Sequence, residues 1–157
     1  MSDASDHQFM AEVIERSRSA AEGGDRPFAA LIVTDGTVRT SAINTAASTG
    51  NPLDHAETVA VDQAVSDLDA NTLAGATLYA SAEPCPMCAT AIYHAGIRRV
   101  VFGASTPRLR ELLGPGMALR CRDVLDAAPE PVDVRGPVLE DDALAVIEHS
   151  GYGAKAD

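Results

Sequence analysis

Two short segments about thirty residues apart must meet in any fold this chain adopts: His55-Ala56-Glu57 and Pro84-Cys85-Pro86-Met87-Cys88. One imidazole and two thiolates supply three ligands of a tetrahedral zinc site and leave its fourth position open to water. Catalytic zinc keeps such an opening, whereas structural zinc closes with four protein ligands. Two thiolates cancel the charge of the ion, and a water bound there still loses a proton far below its bulk pKa of about 15.7. Glu57, two residues from the imidazole, is placed to move the protons of that water. A Cys-x-x-Cys pair alone is also the mark of redox motifs and zinc ribbons. A structural site closed by Cys121 or another histidine has no need of Glu57, and a thiol–disulfide motif leaves His55 and Glu57 without a role.

Local sequence explains how the ligands converge. Asn51-Pro52-Leu53-Asp54 reads as a turn ending in a helix N-cap, with Asp54 as the cap. Val59, Ala60, Ala64 and Val65 give the apolar spacing of a buried helix, which puts His55 and Glu57 in its first turn. Pro84-Cys85-Pro86 carries a strand into a second helix, with Pro86 at an early helical position and Met87, Ala91, Ile92 and Ala95 turned inward. Both ligand groups therefore lie at helix N-termini, where free N–H groups and the helix dipole favour thiolates and a developing hydroxide.

The remaining sequence predicts a single domain over residues 1–157. A helix is expected over His7 to Glu22, ended by Gly23-Gly24. Phe28 to Thr34 is a nearly continuous apolar run, the pattern of a strand buried on both faces. Asp35-Gly36 turns it into a second strand near Thr37 to Ala42. Ala76 to Ser81, Arg99 to Phe102 and, more weakly, Val132 to Arg135 read as further strands. The order β-β-α-β-α-β describes a mixed sheet with helices on both sides. Gly114-Pro115-Gly116 marks a turn. No apolar run is long enough to span a bilayer and no basic-then-apolar leader opens the chain, so no membrane association is expected. Three cysteines, two assigned to metal, point to a reducing compartment and a cytoplasmic location, with Cys121 left as a packed thiol.

The pattern H-x-E followed by P-C-x-x-C is that of the zinc-dependent base deaminases, and the chain resembles the cytidine deaminase-like superfamily. The resemblance runs from Pro27-Phe28 through Asn44 and His55-Ala56-Glu57 to Glu83-Pro84-Cys85 and Val100-Val101-Phe102-Gly103, roughly two thirds of the sequence. It is similar to the branch holding bacterial guanine deaminases and tRNA adenosine deaminases. The resemblance implies an α/β fold, a three-layer α/β/α sandwich around a five-stranded mixed sheet, assembled as a homodimer. It implies one zinc ion per chain on His55, Cys85 and Cys88, with Glu57 as the catalytic proton shuttle. Asn44 matches a substrate-binding asparagine, and the N–H of Ala56 would hold a carbonyl of the base. Phe28 would floor the pocket and His94 occupies a pocket position of relatives. Tyr152, between two glycines in a C-terminal segment with Glu140 and His149, would close over the base. Glu83 has the character of a loop-fixing residue.

Charge separates the substrate classes. Binding a polyanion depends on Lys and Arg at phosphates, yet acidic residues outnumber basic ones 23 to 12 and the net charge is −11. The expected substrate is a free nucleobase, guanine or a related amino-substituted purine, pyrimidine or s-triazine, with nucleic acid disfavoured as a partner. Adenosine-to-inosine editing of tRNA, then nucleoside deamination, are the alternatives. Ala29 stands where guanine deaminases more often carry glycine, and Ala104-Ser105-Thr106-Pro107 lacks their long acidic and aromatic loop.

Overall fold

The computed structural model describes residues 3–153, with a five-stranded sheet in the order β2-β1-β3-β4-β5. The strands are β1 (Arg26–Thr34), β2 (Thr37–Asn44), β3 (Thr77–Ala82), β4 (Arg99–Ala104) and β5 (Asp133–Arg135). β1 runs antiparallel to both β2 and β3, whereas β3, β4 and β5 are parallel. The β1–β2 connection is the tight hairpin expected at Asp35-Gly36, with positive φ at both residues (49° and 71°), as a type I′ turn requires. The parallel strands need crossovers. These are supplied by α5 (Pro86–His94) between β3 and β4, and by α6 (Thr106–Leu113) and α7 (Cys121–Asp126) between β4 and β5.

β1 is apolar almost throughout because both of its faces are covered. Ala30 and Ile32 point into a core with Leu78, Ala80, Val100 and Phe102, shared with α3 (Ala56–Asp67), α5 and α7. Leu31 and Val33 point the other way, into a core with Tyr79 and Val101 against α1 (Asp3–Glu22) and α8 (Glu140–Ser150). The result is the three-layer α/β/α sandwich with a five-stranded mixed sheet. Two short helices, α2 (Ala46–Thr49) and α4 (Ala70–Ala74), complete the inventory among the described residues. On α1, Phe9, Met10, Val13, Ile14, Ser17 and Ala20 form the buried stripe. On α3 the stripe is Ala56, Glu57, Ala60, Val61 and Ala64, mostly small residues that let the helix lie close to the sheet. Val65, expected on that buried side, is instead 46% exposed, because α3 covers the sheet with the face bearing Ala60, Val61 and Ala64.

A polar cluster ties α1 to the sheet where the parallel strands begin. The fully buried Asp6 carboxylate accepts from Tyr79 Oη on β3 (2.8 Å) and from both terminal nitrogens of Arg99 on β4 (3.0 and 2.8 Å), with Arg135 of β5 at 3.0 Å. Burial alone would raise its pKa, but the hydrogen bonds from Arg99 and Tyr79 and the nearby guanidinium charges outweigh it and hold the carboxyl below the usual range. Its stabilisation is therefore complete above the unfolded aspartate pKa of about 3.9 and is lost as pH falls through the lower folded value. Asp6→Asn should cost about 3 kcal/mol by removing the buried charge that Arg99 and Arg135 share, leaving Arg99 only the exposed Asp133. Its denaturant midpoint should also fall less steeply than that of the natural chain as pH drops below 4, measured by urea titrations across the acid range.

Candidate active site

The parallel strands deliver the site at their C-terminal edge, the end at which open α/β sheets place their ligands. β3 ends at Ala82, and Glu83-Pro84 leads to Cys85, which is the N-cap of α5 with Pro86 as its first helical residue. Pro86 belongs there because its fixed φ suits the first turn and its missing N–H would have had no intrahelical acceptor. Cys88 follows three residues on, fully buried. Across from it, His55 is the N-cap of α3. Asp54 is not the cap, a correction to the sequence reading. Its carboxylate accepts instead from Thr49 Oγ1 (2.7 Å) and Asn51 Nδ2 (2.6 Å), which fixes the turn that delivers His55. The cap position is thereby given to a residue whose ring points to the cysteines rather than back to the helix.

Three ligand atoms converge. His55 Nδ1 lies 3.7 Å from Cys85 Sγ and 3.5 Å from Cys88 Sγ, and the two sulfurs are 3.6 Å apart. A tetrahedral ion with zinc–sulfur bonds of about 2.3 Å and zinc–nitrogen bonds of about 2.0 Å would separate sulfur from sulfur by about 3.8 Å and sulfur from nitrogen by about 3.5 Å. The residues therefore fit a zinc ion without rearrangement. Glu57 is buried beside them, with Oε2 3.7 Å from Cys88 Sγ.

The electrostatics follow from this crowding. Burial lifts the Glu57 carboxyl to about 7, and the Cys85 charge adds to the effect. Near neutrality it can thus either hold or release a proton. The thiols split in opposite directions: hydrogen bonds from Cys88 and His55 lower Cys85 to about 4, while the Cys85 thiolate and burial push Cys88 up. The Cys85 hydrogen bond raises His55. A divalent cation that takes both thiolates and the neutral imidazole removes this conflict.

A cavity of about 140 Å³ opens beside these groups, lined by His55, Glu57 and Cys85 together with Arg26, Asn44, Ala82, Glu83, Leu109, Phe28 and Tyr152. Asn44 ends β2 almost fully buried, and its Oδ1 accepts from the Ala46 N–H (3.1 Å), leaving Nδ2 as the end with hydrogens to give. Phe28 and Tyr152 meet edge to face with centroids 5.4 Å apart. Ala56 is fully buried at the first position of α3, where the N–H has no intrahelical acceptor. His94 lies outside the cavity, exposed at the last residue of α5 with its ring against Tyr93. At 1.5 Å per residue it sits roughly 13 Å along the helix from Cys85 and roughly 9 Å from Cys88. His149 is exposed on α8, bonded to the Ala145 carbonyl. Glu140 holds the start of α6 through the Ser105 N–H (3.0 Å) and hydroxyl. Arg26, Ala82 and Leu109 were not singled out in the sequence. Only the proximity of Arg26 to Pro27-Phe28 could have signalled it.

Glu83 is the tether of the metal loop. Its buried carboxylate accepts from the Thr106 N–H (2.7 Å), the Cys121 N–H (3.1 Å) and the Arg120 guanidinium (3.2 Å), joining the loop to the starts of α6 and α7. Cys121 is fully buried, with its thiol pushed up to about 12 by burial and by the Glu83 charge. It is a packed thiol outside the His55, Cys85 and Cys88 group.

A fold of this topology with an open three-ligand site beside a buried glutamate defines a zinc-dependent deaminase. The pattern of the cytidine and deoxycytidylate deaminase zinc-binding region matches residues 3–104, and the chain belongs to that family of hydrolytic aminohydrolases. It is 36% identical over 152 residues to a probable cytosine deaminase of Schizosaccharomyces pombe, covering 94% of this chain and 91% of that one. It is 38% identical over 103 residues to the tRNA-specific adenosine deaminase of Bacillus subtilis, covering 66% of this chain and 64% of that one. The structure of a guanine deaminase from Nitrosomonas europaea superposes with a TM-score of 0.79 at 26% identity, covering 90% of this chain and 81% of that one.

Glu83→Ala should destabilise the fold by about 3 kcal/mol by stranding two backbone donors. It should also raise the dissociation constant for zinc, because the metal loop loses its tether. Thermal unfolding and competition with a chromogenic chelator measure the two effects.

Proposed function

We propose that the chain removes the amino group of a free nucleobase by hydrolysis, taking guanine or a related amino-substituted purine, pyrimidine or s-triazine ring and releasing ammonia. The observation that carries this reading is the small cavity in which a three-ligand site, a buried carboxyl poised near neutrality, an asparagine and two aromatic rings come together. Zinc, when held by His55, Cys85 and Cys88, supplies Lewis acidity that lowers the pKa of water. Glu57 takes the proton released from water and gives it to a ring nitrogen beside the carbon that carries the amine. It then passes the second proton to the departing nitrogen, so that ring–NH₂ and water become ring–oxo and ammonia. Asn44 donates through Nδ2 to the ring edge, and the Ala56 N–H donates to a ring carbonyl. Phe28 and Tyr152 enclose the ring, the aromatic contact between them holding the C-terminal segment against β1.

Two observations favour a free base over tRNA. Of the arginines in Arg98-Arg99 and Arg108-x-Arg110, all but Arg110 are paired with acids, Arg98 with Glu130, Arg99 with Asp6 and Asp133, and Arg108 with Glu111. They leave little cationic surface for phosphates in a chain of net charge −11. Similarity to the probable cytosine deaminase also extends over nearly the whole chain, whereas that to the tRNA enzyme covers two thirds of it. We further read the protein as a cytoplasmic homodimer. The cysteine usage supports the compartment, with two thiols in the ligand group and the third packed in the core. Exposed Leu53, Met117 and Leu119 near the site support the assembly. No helix among the described residues is long and apolar enough to cross a membrane.

The test is ammonia release from guanine, cytosine, adenine and amino-triazines, their nucleosides, and a tRNA anticodon stem-loop. Glu57→Gln should retain zinc and lose at least about 10²-fold in kcat. Full activity in that variant would contradict the assigned shuttle, and turnover of the stem-loop alone would contradict the free-base reading.

A further inference from the structure

Arg26 has no part in the chemistry above, yet it lines the same cavity as His55, Glu57 and Asn44. It opens β1 and is the register partner of Asn44 on β2, just before the irregularity between Arg26 and Ala29. Directly paired residues of neighbouring antiparallel strands put their Cβ atoms roughly 5 Å apart, so the two side chains share one end of the cavity. The guanidinium lies 5.9 Å from the centre of the Tyr152 ring. Most arginines of the chain are neutralised by a carboxylate, including Arg98, Arg99, Arg120 and Arg135. Arg26 forms no ion pair among the described residues. The neighbouring Asp25 carboxylate is committed to the N–H and hydroxyl of Ser48. A half-buried guanidinium that borders the cavity with the Tyr152 ring beside it and no carboxylate paired to it has hydrogens to give to an acceptor on the ligand.

The chemistry of this end is one-sided. Arginine offers only donors, and Asn44 has its oxygen occupied by the Ala46 N–H and its amide hydrogens to give. An edge built from donors accepts a ring edge built from acceptors and rejects one that presents amino groups, since two facing donors are both left unpaired. We propose that Arg26, paired with Asn44, is a specificity residue that reads an oxo group on the substrate ring, and that it restricts the enzyme to bases in which a carbonyl stands 1,3 to the carbon bearing the amine. Guanine and cytosine satisfy this requirement. 2,6-Diaminopurine, 2,4-diaminopyrimidine and the all-amino triazine do not. The inference rests on the free-base reading and narrows its substrate class.

Two matched pairs test it: guanine against 2,6-diaminopurine, and cytosine against 2,4-diaminopyrimidine. In the zinc-loaded enzyme the oxo member of the turned-over pair should be preferred in kcat/KM. Arg26→Met should reduce that preference by about 10- to 100-fold, the range for loss of a charge-assisted hydrogen bond, with the loss appearing in KM rather than kcat. Arg26→Lys, which keeps the charge and loses the planar fork, should recover part of it. Calorimetric binding of the same pairs to Glu57→Gln and to Glu57→Gln with Arg26→Met reads the contact without turnover. Deamination with an oxo preference unchanged in Arg26→Met would overturn the assignment of Arg26 and leave the deaminase reading intact. Arg26-dependent binding without deamination by the natural chain would uphold Arg26 and overturn the reaction. Neither binding nor turnover of any of the four bases would overturn both.

Discussion

Gathering two thiols, an imidazole and a carboxyl in a space a few ångströms across is unfavourable, and the rest of the fold serves to impose it. The ligand atoms lie within 4.8 Å of one another, and Glu57 adds a fourth ionisable group that burial holds near a pKa of 7. Like charges at such distances cannot all ionise. The two thiols are driven in opposite directions, Cys85 down by hydrogen bonds from Cys88 and His55, and Cys88 up beside it. The same frustration makes a divalent cation fit, since it alone compensates both thiolates while leaving Glu57 free to exchange protons. Site and fold are thus linked thermodynamically, because each equivalent of cation bound to the native state stabilises it by mass action.

Rigidity comes from both ends of the parallel strands. Where they begin, Asp6 links α1 to β3, β4 and β5 through buried, charge-assisted hydrogen bonds. Where they end, Glu83 binds the metal loop to the starts of α6 and α7. Between them, Ala56, Ala60 and Ala64 of α3 and Ala89 of α5 keep the two ligand-bearing helices close to the sheet. A larger residue at any of these positions would move a helix start, and with it a ligand, by more than the site tolerates.

Much of this was legible in the sequence, for identifiable reasons. The ligands, Glu57 and the second helix start at Pro86 follow from spacing and from the chemistry of zinc. The unbroken apolar run of β1 reports a strand covered on both faces, and Asp35-Gly36 reports the hairpin. Other features are tertiary and left no local signal. Asp54 has the composition of a cap, but its carboxylate is claimed by Thr49 and Asn51, a choice set by the path of the turn. His94, expected at the pocket from the resemblance alone, lies exposed at the far end of the helix that Cys85 caps, a placement with no local sequence signal. α6 and α7 are short helices anchored by Glu83 and Glu140, partners 23 to 38 residues away in the chain. Arg26 enters the cavity only through its register opposite Asn44, which depends on the irregular pairing at the start of β1.

The central claim is that the site is a three-ligand centre with an open position rather than a closed structural one. X-ray absorption at the zinc edge of the purified protein tests it most directly. The account predicts two sulfur ligands at about 2.3 Å, one histidine nitrogen at about 2.0 Å, and a fourth light-atom ligand that exchanges when a ring inhibitor is added. A third sulfur in the shell, which Cys121 alone could supply, or a fourth protein ligand that no inhibitor displaces, would contradict it.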